Sequence, residues 1–575
     1  MKKLVTVLLA LAVSLSAVLG LTACGRSENY DPNNFLPNGT AENPYQIVAE
    51  PITIKIFVPK SALNPSFKNL KMFQKLEEMT NLRFKFTEAD TAAYYQLRSA
   101  AWEDKKSLPD LFLFNNPVSE QVIYSQYGAV VPFNDSELVV NGIEVGSLID
   151  NYMPTYKKLL DENFNIDSPY SARKVATFSD GMMYSTLCVN DVPRDLTFKM
   201  YINQQWIENL REDDVEIPSN VTSFKTAADI PDATDIKTVE EYVDILRLFK
   251  KYDVNRNGDP NDEVPVSAKE LEYLRNFILA PYGYVYGGAE QESDGSKMTY
   301  VPSTEAYRKY LQTMNVMFSE GLLDKSTFSI KTDAQLAQKG LEHRLGSFCS
   351  AAAYITVGYD YEDEYEMFGP LTSDYYTGDP IQWGFANFSP TGAVIPTGTS
   401  KVREVARLLD IMYSDIGCQL IAYGEEGVDW KWDDEDKTSW TFLVPDDWTG
   451  SQEDYRATIT PNVGTASALY WKYDFVGKMN DDIITALNRM SERYAPYLKQ
   501  IVPDDLKMIE EEYNKIETIN ASLDVYLKNA ECLFVMGDND PFKDSDWNSF
   551  QSDLKSYRSE ELIRCYNDAF ARNKK

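Results

Sequence analysis

The sequence contains a single histidine, His343, among its 575 residues. Ser-His-Asp and Cys-His catalysis need a histidine, and His-rich metal sites need several. These classes of site are therefore excluded unless His343 itself serves, and a surface histidine or one held by a structural hydrogen bond is the simpler interpretation. The chain also has no phosphate-binding glycine loop and no internal repeat.

Cysteine is scarce for a chain of this length. Besides Cys24 there are five, an odd number without a recurring spacing: Cys188, Cys349, Cys418, Cys532 and Cys565. Disulfide frameworks in exported domains use an even number of cysteines at regular spacings. We therefore expect no disulfide framework.

Basic residues are outnumbered, with 56 Lys and Arg against 88 Asp and Glu and a formal charge of -32. Nucleic acid requires a basic protein surface, and an anionic membrane attracts basic segments. The charge thus excludes nucleic acid as a partner and argues against a protein that lies flat on a membrane. Aromatic residues make up 13% of the chain, which suits stacking on sugar rings and equally suits a large core.

Long apolar runs are absent after residue 24, so no later segment is expected to cross a membrane. The first 24 residues comprise Lys2-Lys3, an apolar stretch and then Leu21-Thr22-Ala23-Cys24. A basic start, an apolar core and small residues before a cleavage site mark a signal peptide. The cysteine resembles a bacterial lipobox, in which Cys24 becomes the acylated N-terminus and anchors the chain. The alternative is an uncleaved membrane helix of marginal length.

Residues 25–50 are rich in Asn, Pro, Gly and Glu and lack apolar periodicity. This composition predicts a flexible tether that spans roughly 30 Å as a coil. About 550 residues then remain for the folded body, too many for one core, so two lobes are expected.

Residues 52–114 alternate between strand and helix patterns. Residues 52–58, 82–86 and 111–114 favour strands, and helical patterns run through Leu70 to Met79 and from Thr91 to Trp102. Such alternation predicts a parallel sheet. Ligands of these sheets lie at the carboxyl ends of strands, which makes Asn115 and Asn116 candidate pocket residues.

Residues 253–265 place oxygen-bearing side chains at alternate positions around Gly258. This pattern matches the front of an EF-hand loop, whose tight turn directs oxygens at one Ca²⁺. The expected carboxylate at the twelfth position is displaced, because Val264 stands there and Glu263 comes one place early. The candidate ligands are Asp253, Asn255, Asn257, Asp259, Asn261, Asp262 and Glu263. An Asn- and Asp-rich turn without an ion is the alternative.

Other segments have sequence patterns that indicate turns and helices. Asp180-Gly181 lies between apolar flanks and indicates a hairpin that ends at Tyr184. Thr238 and Glu241 form a predicted capping box at a helix start. Residues 305–318, 402–413 and most of the last hundred residues show helical periodicity.

Several of these motifs, in this order, resemble the extracellular solute-binding proteins of carbohydrate ABC importers, specifically their large Gram-positive lipoprotein branch. The resemblance covers nearly the whole chain after the signal. It is carried by the lipobox, Leu108-Pro109-Asp110-Leu111-Phe112, Asp180-Gly181-Met182-Met183-Tyr184, Tyr201 to Trp206, the loop at 253–265, Gly321 to Asp324, Tyr423 to Trp430, and Tyr566 to Arg572. Each motif alone is weak, and their order makes the resemblance specific.

The resemblance implies a type II periplasmic-binding-protein-like α/β fold with two lobes, a hinge of two or three crossing strands and a largely helical C-terminal region. The expected division is a signal peptide at 1–24, a tether at 25–50, the first lobe at 51–180 and 346–400, and the second lobe at 181–345 and 401–575. In the loop, Asp253, Asn255, Asn257 and Glu263 match the family best. The Ca²⁺ it implies is structural, away from the sugar.

A sugar site needs flat aromatic rings and bidentate polar groups. Trp383, Trp430, Asp429 and Glu426 provide both and are the leading candidates, although either tryptophan could instead belong to a lobe core. The weaker candidates are Asn115, Asn116, Asp180 and Tyr184.

The resemblance implies a lipid-anchored monomer, without enzymatic activity, that captures an oligosaccharide outside the cell and delivers it to ABC permease subunits. A cell-surface glycosidase is the alternative from a different class, because a pair of carboxylates suffices for that chemistry. A sugar sensor or adhesin is a third interpretation.

Overall fold

The structure is a computed structural model that describes residues 30–573 except 61–63, 91–92, 104–107, 141, 167–170, 450–451, 462–468, 500 and 504. The predicted signal peptide, Cys24 and the start of the tether lie outside the described residues. Within the described part of the chain, the five cysteines are free thiols. No helix among the described residues is long and apolar enough to cross a membrane.

The strands are short and distributed along the whole chain. They are β1 (Ile52–Lys60), β2 (Leu82–Asp90), β3 (Leu111–Leu113), β4 (Val139–Val140), β5 (Ile143–Glu144), β6 (Cys188–Asn190), β7 (Lys199–Asn203), β8 (Val264–Ser267), β9 (Ala289–Gln291), β10 (Met298–Tyr300), β11 (Leu345–Ser350), β12 (Tyr365–Met367), β13 (Gln382–Trp383), β14 (Phe388–Ser389), β15 (Ala393–Val394), β16 (Trp430–Trp432), β17 (Trp440–Phe442), β18 (Tyr470–Trp471) and β19 (Leu498–Lys499).

The helices surround these strands. They are α1 (Lys71–Thr80), α2 (Tyr94–Glu103), α3 (Val118–Gln126), α4 (Leu148–Tyr152), α5 (Pro154–Glu162), α6 (Ala172–Ala176), α7 (Gln204–Glu212), α8 (Val239–Lys251), α9 (Glu270–Leu279), α10 (Glu305–Ser319), α11 (Asp333–Leu341), α12 (Tyr354–Val357), α13 (Val402–Tyr413), α14 (Asp415–Tyr423), α15 (Gln452–Ile459), α16 (Tyr473–Val476), α17 (Asp482–Glu492), α18 (Glu510–Met536), α19 (Asp544–Ser556) and α20 (Ser559–Asn573).

The first lobe is built on a four-stranded sheet in the order β15-β3-β1-β2. Strand β1 pairs in parallel with β2 and β3, as the alternating pattern predicts, and β15 pairs antiparallel with β3. Successive side chains of a strand point to opposite faces of a sheet. Ile54 and Ile56 accordingly pack into one core, and Phe57 packs into a second on the other face.

Residues 30–50 differ from the predicted flexible tether, because they pack against the first lobe. Phe35, Ile47 and Val48 are buried, and Phe35 lies against the Tyr152 ring and beneath the Arg403 guanidinium. Backbone hydrogen bonds tie the segment together and to the end of α1. Three apolar side chains among many polar ones are too few to show periodicity, yet they suffice to dock the segment.

The second lobe contains the four-stranded sheet β12-β7-β11-β8. Strand β11 pairs in parallel with β8 and antiparallel with β7. The predicted capping box is confirmed, because the Thr238 hydroxyl accepts from the Glu241 amide and the Glu241 carboxylate accepts from the Thr238 amide. The long helix α18, in the predicted helical C-terminal region, begins at Glu510.

Two large apolar cores define the lobes. One holds buried residues between 35 and 192 and between 388 and 479, and the other holds residues between 200 and 371 and between 494 and 570. The division expected from the sequence therefore shifts: β11 and the residues up to Leu371 belong to the second core, and residues 402–479 belong to the first. Apolar periodicity identified the helices but not the core into which each one packs.

Candidate functional site

The chain passes from one core to the other three times. The first passage links β6 to β7, the second links β13 to β14, and the third follows β18 and continues through α17 to β19. At the first lobe the three passages are joined in one sheet, where Val189 of β6 pairs with Phe388 of β14 and Tyr470 of β18. Three passages at one edge form a hinge between the lobes.

Four aromatic side chains gather on these passages and on the neighbouring helix α9. The Phe198 ring stacks on Trp383 with 5.9 Å between centroids and meets Tyr273 edge-on at 5.0 Å. Phe385 contacts the Trp383 ring edge-on at 4.6 Å. Phe385 is 44% exposed, and Trp383 is half-buried. We call Phe198, Tyr273, Trp383 and Phe385 the hinge aromatic cluster.

Polar and aromatic groups of the first lobe lie beside the first passage, which links β6 to β7. Trp471 Nε1 donates to Asp195 Oδ2 at 2.7 Å. The Arg456 guanidinium lies over the Trp471 and Tyr423 rings and donates to the Glu453 carboxylate at 2.7 Å. Planar guanidinium groups, carboxylates and indole rings are side chains that can bind sugar hydroxyls and ring faces.

A cavity of about 970 Å³ opens at the hinge, at the upper end of the usual range for ligand pockets. Its lining combines aromatic rings, including Phe385 and Tyr497, with the polar side chains of Asp191, Glu292 and Asn387. Burial raises the pKa of Asp191 to about 6. Both lobes and all three passages therefore contribute to one concave surface with rings and hydrogen-bonding groups.

Among the residues predicted for sugar binding, Trp383 lies in this region and Trp430 does not. Trp430 is fully buried in the first core between Trp440 and Phe475, and its Nε1 donates to the Gly424 carbonyl. The prediction for Trp430 is corrected, because its ring has no exposed face and its only polar atom is satisfied within the lobe.

The two acidic neighbours of Trp430, Asp429 and Glu426, do not line the hinge cavity either. Asp429 is buried and accepts from Lys71 Nζ at 2.7 Å and from the Glu425 amide. Glu426 is exposed at the tip of the same turn. Asp429 thus fixes the turn to α1 instead of presenting a carboxylate to a ligand.

Asn116, predicted at the pocket edge, has a structural role in the first lobe. It is fully buried, and its Nδ2 donates to the Phe112 and Gly392 carbonyls, joining the ends of β3 and β15. Asn115 is half-buried and adopts a positive φ of 51° at the carboxyl end of β3. Of these two candidates, only Asn115 has a partly exposed side chain.

Asp180 and Tyr184 lie in a hydrogen-bonded turn, and residues 177–187 contain no strand, so the predicted hairpin is only a turn. The Phe178 amide donates to the Met182 carbonyl at 2.8 Å, and the Tyr184 hydroxyl donates to Asp180 Oδ2 at 2.6 Å. Tyr184 is 9% exposed. The pair stabilises its own turn, which is the alternative that the sequence left open.

The loop after α8 forms the tight turn that is expected for the first half of an EF-hand loop. Asp253 accepts from the Asn257 and Gly258 amides at 3.1 and 2.9 Å, and Gly258 has the positive φ, 95°, that the sharp turn requires. Asn257 Nδ2 donates to Asp262 Oδ2 at 2.9 Å. Asp259 and Asn261 are exposed and hydrogen-bond to each other.

Glu263 is the buried carboxylate of this loop. Its Oε1 accepts from the Val254 amide at 3.1 Å, and its Oε2 is buried without a hydrogen-bond partner among the described residues. Burial, aided by the charges of Asp262 and Asp253, raises the pKa of Glu263 to about 7. A buried carboxylate oxygen without a donor is costly, and a cation at the centre of the loop would satisfy it.

Within the described residues, no three His, Cys, Asp or Glu side chains are grouped closely enough to hold a metal by themselves. Besides carboxylates, the loop contains the amide oxygens of Asn255 and Asn257, which are ligands that Ca²⁺ accepts. The residues of the loop therefore suit a calcium ion, with Glu263 as its buried carboxylate.

Several residues around the hinge were not identified from the sequence: Phe198, Tyr273, Asp195, Arg456 and Trp471. Phe198 and Trp383 are 185 positions apart in the chain, and Asp195 and Trp471 are 276 apart. No local spacing signals such pairs.

No family model matches the chain. A curated relative, the fructooligosaccharide ABC transporter substrate-binding protein FusA of Streptococcus pneumoniae, is 23% identical over 590 aligned residues that cover 98% of each protein. This full-length match confirms the resemblance to substrate-binding proteins of carbohydrate ABC transporters that the sequence motifs indicate.

Solved structures establish the fold. FusA in complex with kestose superposes with a TM-score of 0.68 at 20% identity, covering 91% of this chain and 99% of FusA. An EF-hand mutant of FusA in complex with fructo-nystose gives a TM-score of 0.69. An extracellular solute-binding protein of Bifidobacterium longum subsp. infantis gives 0.72 at 16% identity, covering 93% of this chain and all of that one. The chain therefore has the two-lobe α/β fold of solute-binding proteins.

Proposed function

We propose that this protein is the extracellular substrate-binding component of a carbohydrate ABC importer, which captures one oligosaccharide between its lobes and passes it to the permease. The observation that carries the proposal is the match to FusA over 98% of both chains. The three hinge passages and the hinge aromatic cluster support it, because a sugar receptor needs a closing cleft with flat rings.

The ligand class follows from the same relative. FusA is described as a fructooligosaccharide-binding protein, and its structures contain kestose and fructo-nystose. We take fructooligosaccharides as the first ligands to test here. Trp383 and Phe385 are the proposed stacking residues, and the Arg456 and Asp195 side chains are the proposed hydrogen-bonding groups.

Cys24 is the proposed lipid anchor, and the carrier is proposed to act as a monomer. Because residues 30–50 pack on the first lobe, five residues separate Cys24 from the docked segment. A fully extended chain of five residues spans about 17 Å. The folded body would thus stay close to the extracellular face of the cell membrane, within reach of the permease subunits. It would not move freely on a long tether.

The loop at 253–265 is proposed to hold a structural Ca²⁺ through Asp253, Asn255, Asn257 and Glu263. The unpartnered Glu263 oxygen supports this assignment, as does the existence of an EF-hand mutant of FusA. Asp259 and Asn261, exposed and bonded to each other, are left out of the proposed ligand set.

The test of the proposal is titration calorimetry with kestose, followed by chromatography of the sugar after long incubation. A receptor binds one sugar per protein with a dissociation constant of about 1 µM or tighter, which corresponds to about -8 kcal/mol, and returns the sugar intact. Steady release of shorter products, abolished by one Asp or Glu substitution, would instead establish a glycosidase. No heat with any oligosaccharide would reject the sugar-binding role.

A further inference from the structure

A segment outside the three hinge passages also joins the two lobes. Residues 505–513 follow the third passage and lead into helix α18. The residues before the helix alternate between the lobes, because Leu506 and Met508 are buried in the second core, whereas Lys507 between them reaches the first lobe. We call residues 505–513 the strap.

Two charged side chains of the strap contact helix α6 of the first lobe. Asp505 forms an ion pair with Lys174, and Lys507 Nζ donates to the Val175 carbonyl. The Lys507 ammonium also lies 5.5 Å from the centroid of the Phe178 ring, where the ring face attracts a cation. The Lys174 side chain is 60% exposed, and such an ion pair contributes little. The polar attachment to the first lobe therefore depends mainly on Lys507.

Tyr513 provides the apolar contact of the strap with the first lobe. Its half-buried ring packs against the second core and also against a separate apolar cluster of the first lobe, which contains Phe57, Phe178 and Tyr184. Helix α18, on which Tyr513 lies, contacts helix α3 of the first lobe. Separation of the lobes would expose the part of the ring that faces the first lobe, and exposure of apolar surface to water is unfavourable.

The strap is held more firmly to the second lobe than to the first. Besides its two buried apolar side chains, helix α20 holds it, because Arg572 donates to both Glu512 oxygens at 2.6 and 3.0 Å and to the Lys507 carbonyl at 2.9 Å. Asn573 Nδ2 donates to the Asp505 carbonyl at 2.6 Å. Bidentate pairs of arginine with carboxylate are among the strong polar contacts. Opening of the hinge would therefore break the contacts with the first lobe and leave the strap on the second.

We propose that the strap is a latch between the lobes, with Tyr513 and Lys507 as positioning residues that favour the closed arrangement. No residue of the strap lines the hinge cavity. The latch thus acts on the equilibrium between open and closed lobes, and it raises the affinity for a ligand that prefers the closed arrangement. The latch itself rests on the contacts between the lobes, and its effect on sugar affinity rests on the proposed function.

Small-angle X-ray scattering of the sugar-free protein tests the latch without a ligand. Tyr513→Ala removes the ring, and Lys507→Met removes the cation but keeps an apolar side chain. Each should increase the radius of gyration, because a smaller fraction of the molecules is closed. The matched controls on α18 are Tyr526→Ala, whose ring packs within the second lobe, and Lys515→Met, whose ammonium pairs with Glu511 of the same helix. Both controls should retain the radius of gyration of the unaltered protein.

Kestose provides a second measurement on the same variants. Its dissociation constant should rise about fivefold or more in Tyr513→Ala and in Lys507→Met, as expected when a two-state equilibrium loses a contact of this kind. The increase should appear in the dissociation rate, because the latch holds the lobes after the sugar has bound. Trp383→Ala should weaken kestose binding without any change in the radius of gyration of the sugar-free protein, which separates a stacking residue from a positioning residue.

A sugar-free radius of gyration that is unchanged in both strap variants, or that increases equally in the controls, would overturn the proposal. Kestose affinity that stays normal in a variant with an increased radius of gyration would overturn it as well. A thermal melt of each variant identifies misfolding, and Lys507→Met leaves the contacts of the strap with the second core in place. If kestose does not bind the unaltered protein, the proposed ligand is wrong, and the scattering of the sugar-free variants still decides whether the strap is a latch.

Discussion

The two leading tryptophans are chemically identical, and their surroundings assign them opposite roles. Trp383 is half-buried at the hinge, whereas Trp430 is sealed in the first core. We expect Trp383→Ala to weaken oligosaccharide binding by roughly 2 kcal/mol, as loss of an aromatic anchor does, with little change in melting temperature. Calorimetry and thermal melts on the same sample measure the two effects.

Trp430→Ala is the matched contrast to Trp383→Ala. It removes a buried indole and leaves a cavity, so it should lower the free energy of unfolding by about 3–5 kcal/mol. At a temperature where it is folded, its sugar affinity should be normal. If Trp430→Ala weakened binding and Trp383→Ala only reduced stability, the assignment of the two residues would be reversed.

Glu263 allows a test of the proposed calcium loop. Ca²⁺ should raise the stability of the protein by about 2.7 kcal/mol at a hundredfold excess over its dissociation constant, and chelation should reverse the change. Mg²⁺ should substitute poorly, because it requires an octahedral site and gives up water reluctantly. Melting curves with each ion, and with chelator, measure this.

Glu263→Gln should abolish the response to Ca²⁺ because it removes the buried charge, whereas Asp294→Asn, on the distant β9-β10 turn, should retain it. Kestose affinity should change much less than stability in both variants. A melting temperature indifferent to Ca²⁺ and chelator would mean that residues 253–265 form a turn without an ion.

Individual site residues were predictable from the sequence only where the signal was local. The Asp180–Tyr184 turn and the Asp253 turn depend on residues a few positions apart. Asn116 was expected at a pocket edge from its place after β3, but its amide bonds carbonyls 275 and 276 residues away. A partner at that distance leaves no pattern near Asn116, so its structural role could not be foreseen.

Among the elements, the segment 30–50 departs most from expectation. Its docking depends on Phe35, on the pairing of the Leu36 amide with the Ile47 carbonyl at 2.8 Å, and on the Tyr30 hydroxyl, which donates to Glu404 at 2.9 Å. We expect the Leu36 and Ala49 amides to exchange slowly with deuterium, because each donates to a carbonyl within the docked segment.

Phe35→Ala should release the segment and speed exchange at both amides, while the amides of β1 exchange as before. Asn33→Ala, at an exposed position nearby, is the control and should leave exchange unchanged. Fast exchange throughout residues 30–50 in the unaltered protein would contradict docking and would support the flexible tether that the composition predicts.

Strands and helices whose apolar residues recur at a regular spacing were predicted well, because burial of one face imposes that spacing. Strand β2 and helix α1 follow it closely. The assignment of helices to lobes failed for α13 and α14, which pack into the first core although the sequence placed residues 401–575 in the second lobe. An amphipathic stripe shows that a helix has a partner face but does not identify the partner.

At the scale of the whole molecule, the two cores are joined by three passages that carry Phe198, Trp383 and Phe385 and border the cavity of about 970 Å³. Two lobes on a hinge can exchange between an open and a closed arrangement. A ligand that contacts both lobes shifts this equilibrium toward the closed arrangement, to the extent that it binds the closed arrangement more tightly than the open one. Capture of an oligosaccharide should therefore change the shape of the protein as a whole.

Small-angle X-ray scattering of the protein with and without saturating kestose, with Trp383→Ala in parallel, tests this account most directly. We predict a smaller radius of gyration with the sugar, a recovery of the open value when the sugar is dialysed away, and a response in Trp383→Ala that needs a higher sugar concentration. Sugar bound without any change in the radius of gyration, or a change that persists because the sugar has been cleaved, would contradict capture by lobe closure.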